Sequence, residues 1–360
     1  MTDSSSGRLP FAHGGPPLRG VLRAVPEDFF VDEDLGFEPD GAGEHVFLRV
    51  EKRGANTDWV AKELARFAGV APAAVAYSGL KDRHALTRQT FSVHLPGKTG
   101  PDWTSLRHPE FTVLAHARHG RKLKRGAHGG NFFGITLREV TGDRPAAEQV
   151  VAAVAAAGVP NYFGEQRFGH GGANVERALR MFAGQRVPHH ERAMLLSAAR
   201  SHLFNLVLAA RVARGDWNRP LEGDVWMLAG THSIFGPEPL SAELAVRCSG
   251  GDIAPTGPLW GVGELRTAAT AMEIETSAAR SCPELTAGLD KAGLRQERRG
   301  LVLRTRGLSA DWISDTGLSL RFYLQSGSYA TVLIREIVET DSSIRSLGSA
   351  ERDAFDPRRV

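Results

Sequence analysis

Cysteine is nearly absent from this chain. Its 360 residues hold two, Cys248 and Cys282. They form no C-x-x-C pair and cannot build a disulfide framework, so a reducing compartment is the simplest setting. Excess charge is also small, at a formal net +3 with a pI near 9.0. That surplus does not by itself demand a nucleic-acid partner, so the placement of the cations has to decide. Long apolar runs are missing too. The most apolar stretch, residues 150–159, is mostly alanine and too short to span a bilayer. Met1–Gly7 lacks the basic and apolar regions of a signal peptide. No G-x-S-x-G, H-E-x-x-H or P-loop pattern occurs. Gly169-x-Gly171 lacks the strand and helix of a dinucleotide fingerprint. His189-His190-Glu191 lacks the spacing of a helical metal site, so no metal is expected. These absences predict a soluble cytoplasmic protein with no membrane segment.

What is present is an ordinary globular composition, long enough for two domains. The front is rich in strand patterns. Gly20–Val25, Phe29–Glu33, His45–Glu51, Phe91–Leu95, Phe111–Leu114 and Phe133–Val140 read as strands. Asn56–Thr57 caps a helix with Val60, Leu64 and Phe67 on one face, stopped at Gly69. Pro145–Ala157 reads as an alanine-rich helix. The texture then changes. Helical patterns cover Ala173–Ala183, Glu191–Arg214, about 268–280 and 283–292, and residues 215–262 are rich in Gly and Pro. The end returns to a strand, Leu318–Leu324, and a helix opened by Ser328 and running to about Glu339. A lone final strand needs partners, so it is expected to rejoin the first sheet. The prediction is an α+β fold in which residues 20–156 and 305–341 form one domain and 157–304 an insertion. Residues 1–19 are expected to be flexible and 342–360 to be a polar tail.

Several stretches can carry chemistry. The polar loop Tyr77–Thr90 contains one carboxylate, Asp82, between Lys81 and Arg83. Taken alone it reads as a surface turn. Neighbours on an extended segment point to opposite sides, so Lys81 and Arg83 need not both face the carboxylate. Arg118–Arg125 holds five permanent cations within eight residues, followed by Gly126, Gly129 and Gly130. Such a loop attracts phosphates by counterion release, and Arg121, Lys122, Lys124 and Arg125 are its candidate RNA contacts. Asn131 can read a base edge, and Phe133 can stack on a base or serve as core. A second Gly-rich, aromatic loop, Asn161–Gly172, carries Arg167.

In order, the chain contains Pro26-Glu-Asp-Phe-Phe-Val-Asp-Glu33, Gly43-Glu-His45, Asn56-Thr57, Ser78-Gly-Leu-Lys-Asp-Arg-His-Ala-Leu-Thr-Arg-Gln89 and Gly130-Asn131-x-Phe133. Val159-Pro-Asn-Tyr-Phe-Gly-Glu-Gln-Arg-Phe-Gly169 and Phe322-Tyr-Leu-x-x-Gly-Ser-Tyr-Ala330 follow. Together they closely resemble the tRNA pseudouridine synthase D (TruD) family, from about Leu22 to Glu339. The resemblance implies a pseudouridine synthase catalytic domain, with a mixed, largely antiparallel sheet and flanking helices, carrying an inserted α/β TRUD domain. It implies isomerisation of a tRNA uridine, expected at position 13, to pseudouridine. No cofactor is expected, since the reaction gains no atoms or electrons. It implies Asp82 as the catalytic carboxylate and Phe29, Asn131, Phe133 and Tyr329 as substrate contacts. Lys81, Arg83 and Arg167 join the basic loop as expected RNA-binding cations. The chain departs from the family at Tyr329, where bacterial members carry Phe, and at Ser78, where Ala is commoner.

Two other classes compete. One is a non-catalytic tRNA-binding protein of the same fold. The other is a glycosidase, which ordinarily needs a second carboxylate; Glu33 and Asp28 are the candidates. The implied partner is tRNA, with no protein partner and a monomeric state expected.

Overall fold

The computed structural model describes residues 9–340, whose contacts divide into two units. One contains Pro16–Val151, Arg306–Gly327 and the described residues from Ile337 onward. The other contains the described residues up to Gly15, Ala152–Thr305 and Ser328–Glu336.

In chain order the elements are β1 (Leu18–Leu22), β2 (Phe29–Asp34), β3 (His45–Arg53), α1 (Thr57–Ala68), β4 (Val75–Tyr77), β5 (Leu86–His94), β6 (Phe111–His119), β7 (Gly130–Gly142) and α2 (Arg144–Ala157). Next come β8 (Val159–Pro160), α3 (Ala173–Phe182), α4 (His189–Arg214), β9 (Trp226–Leu228), β10 (Ile234–Phe235), α5 (Ala242–Gly250) and β11 (Ile253–Leu259). They are followed by α6 (Ala269–Ser281), α7 (Pro283–Lys291), β12 (Glu297–Gly300) and β13 (Val302–Leu303). The last are β14 (Arg306–Ser314), β15 (Gly317–Gln325), α8 (Ala330–Ile337) and β16 (Val338–Thr340).

The first unit is built on one sheet, ordered β14-β15-β7-β2-β5-β3-β6, with β1 joining β7 to β16 and β4 paired to β5. Only β2–β5 and β1–β16 run parallel; the other pairs are antiparallel. The final long strand does rejoin the front of the chain, since β15 pairs along β7 from Leu318↔Leu137 to Gln325↔Gly130. The fold is α+β.

Strand alternation gives the sheet two unlike faces. The registers place Val31 and Glu33 of β2, Val50 and Lys52 of β3, Thr87 and Gln89 of β5, Asn131 and Phe133 of β7, and Phe322 of β15 on one side. The other side carries charge, with Arg88 paired to Glu51 at 2.8 Å and Arg49 paired to Asp32. Helix α1 buries Val60, Ala61, Leu64 and Ala65 beside Val46, Leu48, Val50 and Phe91. It ends at Gly69, whose left-handed φ of 63° suits a residue without Cβ. Asn56, expected to cap it, makes no side-chain capping bond.

In the second unit, α3, α4 and α7 share a core of Ala178, Met181, Leu195, Ala199, Leu203, Leu285 and Leu289. By length and composition α4 could cross a membrane, contrary to the expectation that no stretch is long enough. Its apolar residues Leu195, Leu203, Phe204, Val207 and Leu208 are buried within the protein instead.

Other expectations need correction. Residues 9–15 are held and not free: the buried Glu336 carboxylate accepts the backbone N–H groups of Ala12 and His13 at 3.0 and 3.2 Å. The stretch 215–262 is not simply irregular. It contains α5 and three strands, β9, β10 and β11, which β12 joins in the sheet β10-β9-β11-β12. Pro255 and Pro258 disguise β11, which tolerates them by pairing with β9 through its first half and β12 through its second. Strand β14 has only the short alternation Leu308, Ala310, Trp312, broken by Gly307 before it and Ile313 after it, and none of its residues is fully buried. Ser328–Glu336 falls with the second unit, and the division cuts α2 at Ala152. The expected tail, 342–360, and residues 1–8 lie outside the described residues.

Candidate active site

The Asp82 loop, between β4 and β5, is fixed at nearly every step. Ser78 Oγ donates to Glu33 Oε2 at 2.7 Å. Gln89 Nε2 donates to the carbonyl of Gly79 at 3.2 Å. The Lys81 N–H donates to Thr57 Oγ1 at 3.0 Å, and Thr57 donates in turn to Gln89 Oε1 at 2.9 Å. Beneath the loop lies Lys52, 0% exposed, whose Nζ donates to the carbonyls of Ala55 at 2.8 Å, Asp82 at 2.9 Å and Lys81 at 3.5 Å. Burial pushes the Lys52 ammonium down to about 8; nearby Asp82 opposes this and Lys81 adds to it.

The Asp82 side chain is held as well. Its Oδ1 accepts the His84 N–H at 3.1 Å, and its Oδ2 pairs with Arg23 at 2.7 Å. A quarter of the side chain (25%) stays open to solvent, so the carboxylate is reachable. The Arg23 guanidinium also lies over the Phe29 ring, 3.9 Å from its centroid. Arg23 has φ of 63°, a left-handed conformation that a non-glycine residue adopts at a cost.

Phe29 is 4% exposed, with Arg23 on its ring and the edge of Phe133 at 6.3 Å. Phe133 stacks on Phe322 at 5.2 Å. Of the two rings expected as substrate contacts, Phe29 is packed away from solvent and Phe133 is half-buried. Asn131 is half-buried on the same side. Its Nδ2 lies 3.5 Å from His128 Nε2, and its buried Oδ1 has no hydrogen-bond partner among the described residues. His128 also meets Ser326 Oγ at 3.4 Å. Burial lowers the His128 imidazole below its usual range, Lys81 lowers it further, and Glu33 and Asp34 oppose. Gly130 is required where it stands, because a Cβ there would lie 2.4 Å from the Leu324 carbonyl.

Lys81 does not face outward as expected. Its ammonium is buried and paired with Glu33 at 2.8 Å, with side-chain exposures of 7% and 0%. A cation so placed satisfies a buried acid and is withheld from RNA phosphates. Arg83, next but one, is exposed and donates to the Gly54 carbonyl at 3.2 Å. Both carboxylates considered for a second catalytic role are committed elsewhere. Glu33 accepts from Ser78, Lys81 and the Thr90 N–H at 2.9 Å. Asp28 is bound in two-pronged fashion by Arg138, both contacts at 2.8 Å.

The basic loop lies beside the Asp82 loop in the same unit. The Gly126 N–H donates to the Ser78 carbonyl at 2.7 Å. Arg125 donates to the Tyr77 hydroxyl at 2.9 Å and lies over that ring at 4.7 Å, so it anchors the loop. Arg121, Lys122 and Lys124 are exposed, Lys122 touching the Ala73 carbonyl at 3.3 Å. Arg167 and Tyr329 belong to the other unit, where the Arg167 guanidinium donates to the Tyr329 hydroxyl at 2.7 Å.

Sequence reasoning missed Arg23, Lys52 and His128. Lys52 was detectable, since it continues the inward series Val46, Leu48, Val50 of β3. Arg23 and His128 sit at irregular positions that show no such periodicity.

The sequence matches the family model described as tRNA pseudouridine synthase D (TruD) over residues 6–175 and 172–337. It is 50% identical over 351 residues to a tRNA pseudouridine synthase D of Xanthomonas axonopodis pv. citri, covering 93% of this chain and 95% of that one. A relative of the same name in Methylococcus capsulatus is 50% identical over 335 residues, covering 92% and 95%. One in Aeromonas hydrophila is 46% identical over 338 residues, covering 93% and 95%. A crystal structure assigned to tRNA pseudouridine synthase D in Methanosarcina mazei shares the fold, with a TM-score of 0.70 at 22% identity over 91% of this chain and 95% of that one. The chain belongs to the tRNA pseudouridine synthase D (TruD) family.

Proposed function

We propose that this chain isomerises uridine in tRNA to pseudouridine, with position 13 as the target, and that Asp82 is its catalytic carboxylate. In this reaction the N1–C1′ bond breaks and a C5–C1′ bond forms, while C5 gives up a proton and N1 gains one. The balance closes without a redox partner. The chemistry calls for a fixed carboxylate at the nucleoside. The observation that carries this reading is the Asp82 carboxylate itself, paired with Arg23, still open to solvent, on a loop tied down from both sides.

The target base has to leave the RNA stack, at a cost of a few kcal/mol. In this reading the unsatisfied Asn131 carboxamide takes the edge of the flipped uracil, and Phe29 and Phe133 form the apolar wall behind it. Arg83, Arg121, Lys122 and Lys124 hold RNA phosphates, with Arg125 anchoring their loop. The sheet unit acts as the catalytic domain and the middle of the chain as the inserted domain. The enzyme works as a cytoplasmic monomer.

The test is Asp82→Ala against unmodified tRNA. Loss of pseudouridine with tRNA binding retained is the expected result. Pseudouridine formation at the wild-type rate would overturn the role of Asp82. A wild type that binds tRNA and forms none would return the protein to the non-catalytic class.

A further inference from the structure

His128 stands between the basic loop and β7, and its backbone is held on both sides. The Gly126 N–H donates to the Ser78 carbonyl at 2.7 Å, and the Gly129 N–H to the Asp34 carbonyl at 2.9 Å. The Gly129 carbonyl accepts the Ser326 N–H at 3.1 Å. The half-buried imidazole lies against the Asp82 loop, its Cε1 3.6 Å from where a Cβ on Gly79 would stand. Three side chains form a row there. Ser326 Oγ is 3.4 Å from His128 Nδ1, and His128 Nε2 is 3.5 Å from Asn131 Nδ2. Both are long contacts, of the kind that tighten when substrate closes on a site. All these residues belong to the sheet unit.

The row has one consistent pattern of protons. An amide Nδ2 only donates, so Nε2 accepts and the ring proton sits on Nδ1, which donates to Ser326. Asn131 is thereby turned with Oδ1 away from the imidazole. That oxygen is buried and has no hydrogen-bond partner among the described residues, so it calls for a donor. An imidazolium would reverse the arrangement. With protons on both nitrogens it only donates, and Asn131 would have to turn its oxygen to His128 and its NH2 outward. The charged groups facing the ring are Lys81 of the Asp82 loop and Glu33 and Asp34 of β2. Lys81 is paired with Glu33, and Asp34 accepts from the Tyr323 hydroxyl at 3.1 Å. Burial is the largest influence, and it holds the ring below its ordinary 6.5 and so neutral at neutral pH.

We propose that His128 is the positioning residue for Asn131: it holds the carboxamide so that Oδ1 accepts the N3–H of the flipped uracil. A cytosine in a nucleoside carries no hydrogen at N3 and cannot make that bond. The proposal rests on the tRNA reading above and adds to it the residue that decides which atom of Asn131 the base meets.

The experiment is a double-mutant cycle of His128→Phe and Asn131→Ala, read as single-turnover pseudouridine formation and tRNA affinity, with folding checked by circular dichroism. Phenylalanine keeps a ring against Gly79 and removes both nitrogens. His128→Phe is expected to slow the reaction about tenfold or more, with tRNA affinity unchanged. In the Asn131→Ala background the same change is expected to cost little, because its effect runs through Asn131. Equal losses in both backgrounds, or a wild-type rate in His128→Phe, overturn the proposal. His128→Gln is the second variant, which keeps a hydrogen-bonding group and bears no charge. It is expected to retain more of the rate than His128→Phe. Wild-type turnover is expected to fall as pH drops below 6.5, where the imidazolium forms, and His128→Gln to hold its rate through that range. The same acid fall in both proteins overturns the proposal. The wild type on the same tRNA is the reference, so failure of the proposed activity shows in the wild type and failure of the His128 role only in the variants.

Discussion

Lys52 Nζ lies 2.9 Å from the backbone oxygen of Asp82, from a position with no solvent exposure. The same ammonium reaches the carbonyls of Ala55 and Lys81. A buried charge is costly, and here it is compensated by backbone dipoles of the segment that presents the carboxylate. Lys52 therefore fixes where the Asp82 backbone lies, while Arg23 and the His84 N–H fix where its side chain points.

Replacing Lys52 by Met should lower kcat by roughly ten- to a hundredfold, since misplacement by about 1 Å can cost that much, with a smaller change in KM for tRNA. Single-turnover pseudouridine formation would measure it. A fully active Lys52→Met enzyme would remove the lysine from any positioning role.

The lysine also predicts a pH effect of known sign. Its folded value of about 8 lies below its ordinary 10.5. Below pH 8 both folded and unfolded chains hold the proton and the burial penalty is fully present. Between the two values the folded chain releases it and the unfolded chain keeps it, so this group makes the fold more stable as pH rises. Turnover should fall above about pH 8 as the cation under Asp82 is lost, while the melting temperature holds or rises. Parallel activity and melting profiles would show both trends.

Arg23→Gly should separate activity from stability. Glycine adopts the φ of 63° freely, where arginine is strained by on the order of 1 kcal/mol or more. The Asp82 ion pair at 2.7 Å and the cover over Phe29 disappear. Turnover is expected to drop at least about tenfold as the carboxylate loses its oriented partner, and the melting temperature to move by only a few degrees. Arg23→Lys should recover part of the rate. Wild-type turnover in Arg23→Gly would show that the pair is dispensable.

Glu33→Gln would leave the Lys81 ammonium buried opposite a neutral amide. Breaking a buried pair from one side costs about 3–5 kcal/mol, or roughly 10 °C in melting temperature for a unit of this size. Adding Lys81→Met to that variant should recover part of the loss. A double-mutant cycle by thermal unfolding checks it, and strictly additive effects would contradict a coupled pair.

Replacing Arg121, Lys122 and Lys124 with Ala should weaken tRNA binding and flatten its salt dependence by about 0.7–0.9 for each phosphate no longer neutralised. Affinity measured across a salt series decides it. An unchanged slope would mean that these exposed cations do not touch RNA.

Residue patterns were enough to mark most of the long strands of the sheet, β14 apart, because a half-buried sheet imposes a period of two that Val46, Leu48 and Val50 display openly. They were enough for the family, since the blocks around Asp82 and Asn161 stand in order. They also place Glu33 and Lys52 on inward positions, once the alternation is carried one step past the apolar residues. Which charge meets which is not written in them. Lys81 and Arg83 are alike in sequence, yet one is buried on Glu33 and the other is exposed. Arg23 is remote from Asp82 along the chain, and Tyr329 from Arg167. Such pairings depend on strand order and loop packing, and these bring together residues far apart in the chain at no periodic interval. Only the folded chain settles them, and it turns a charged loop that resembled a surface turn into one held from beneath by Lys52 and from the side by Arg23.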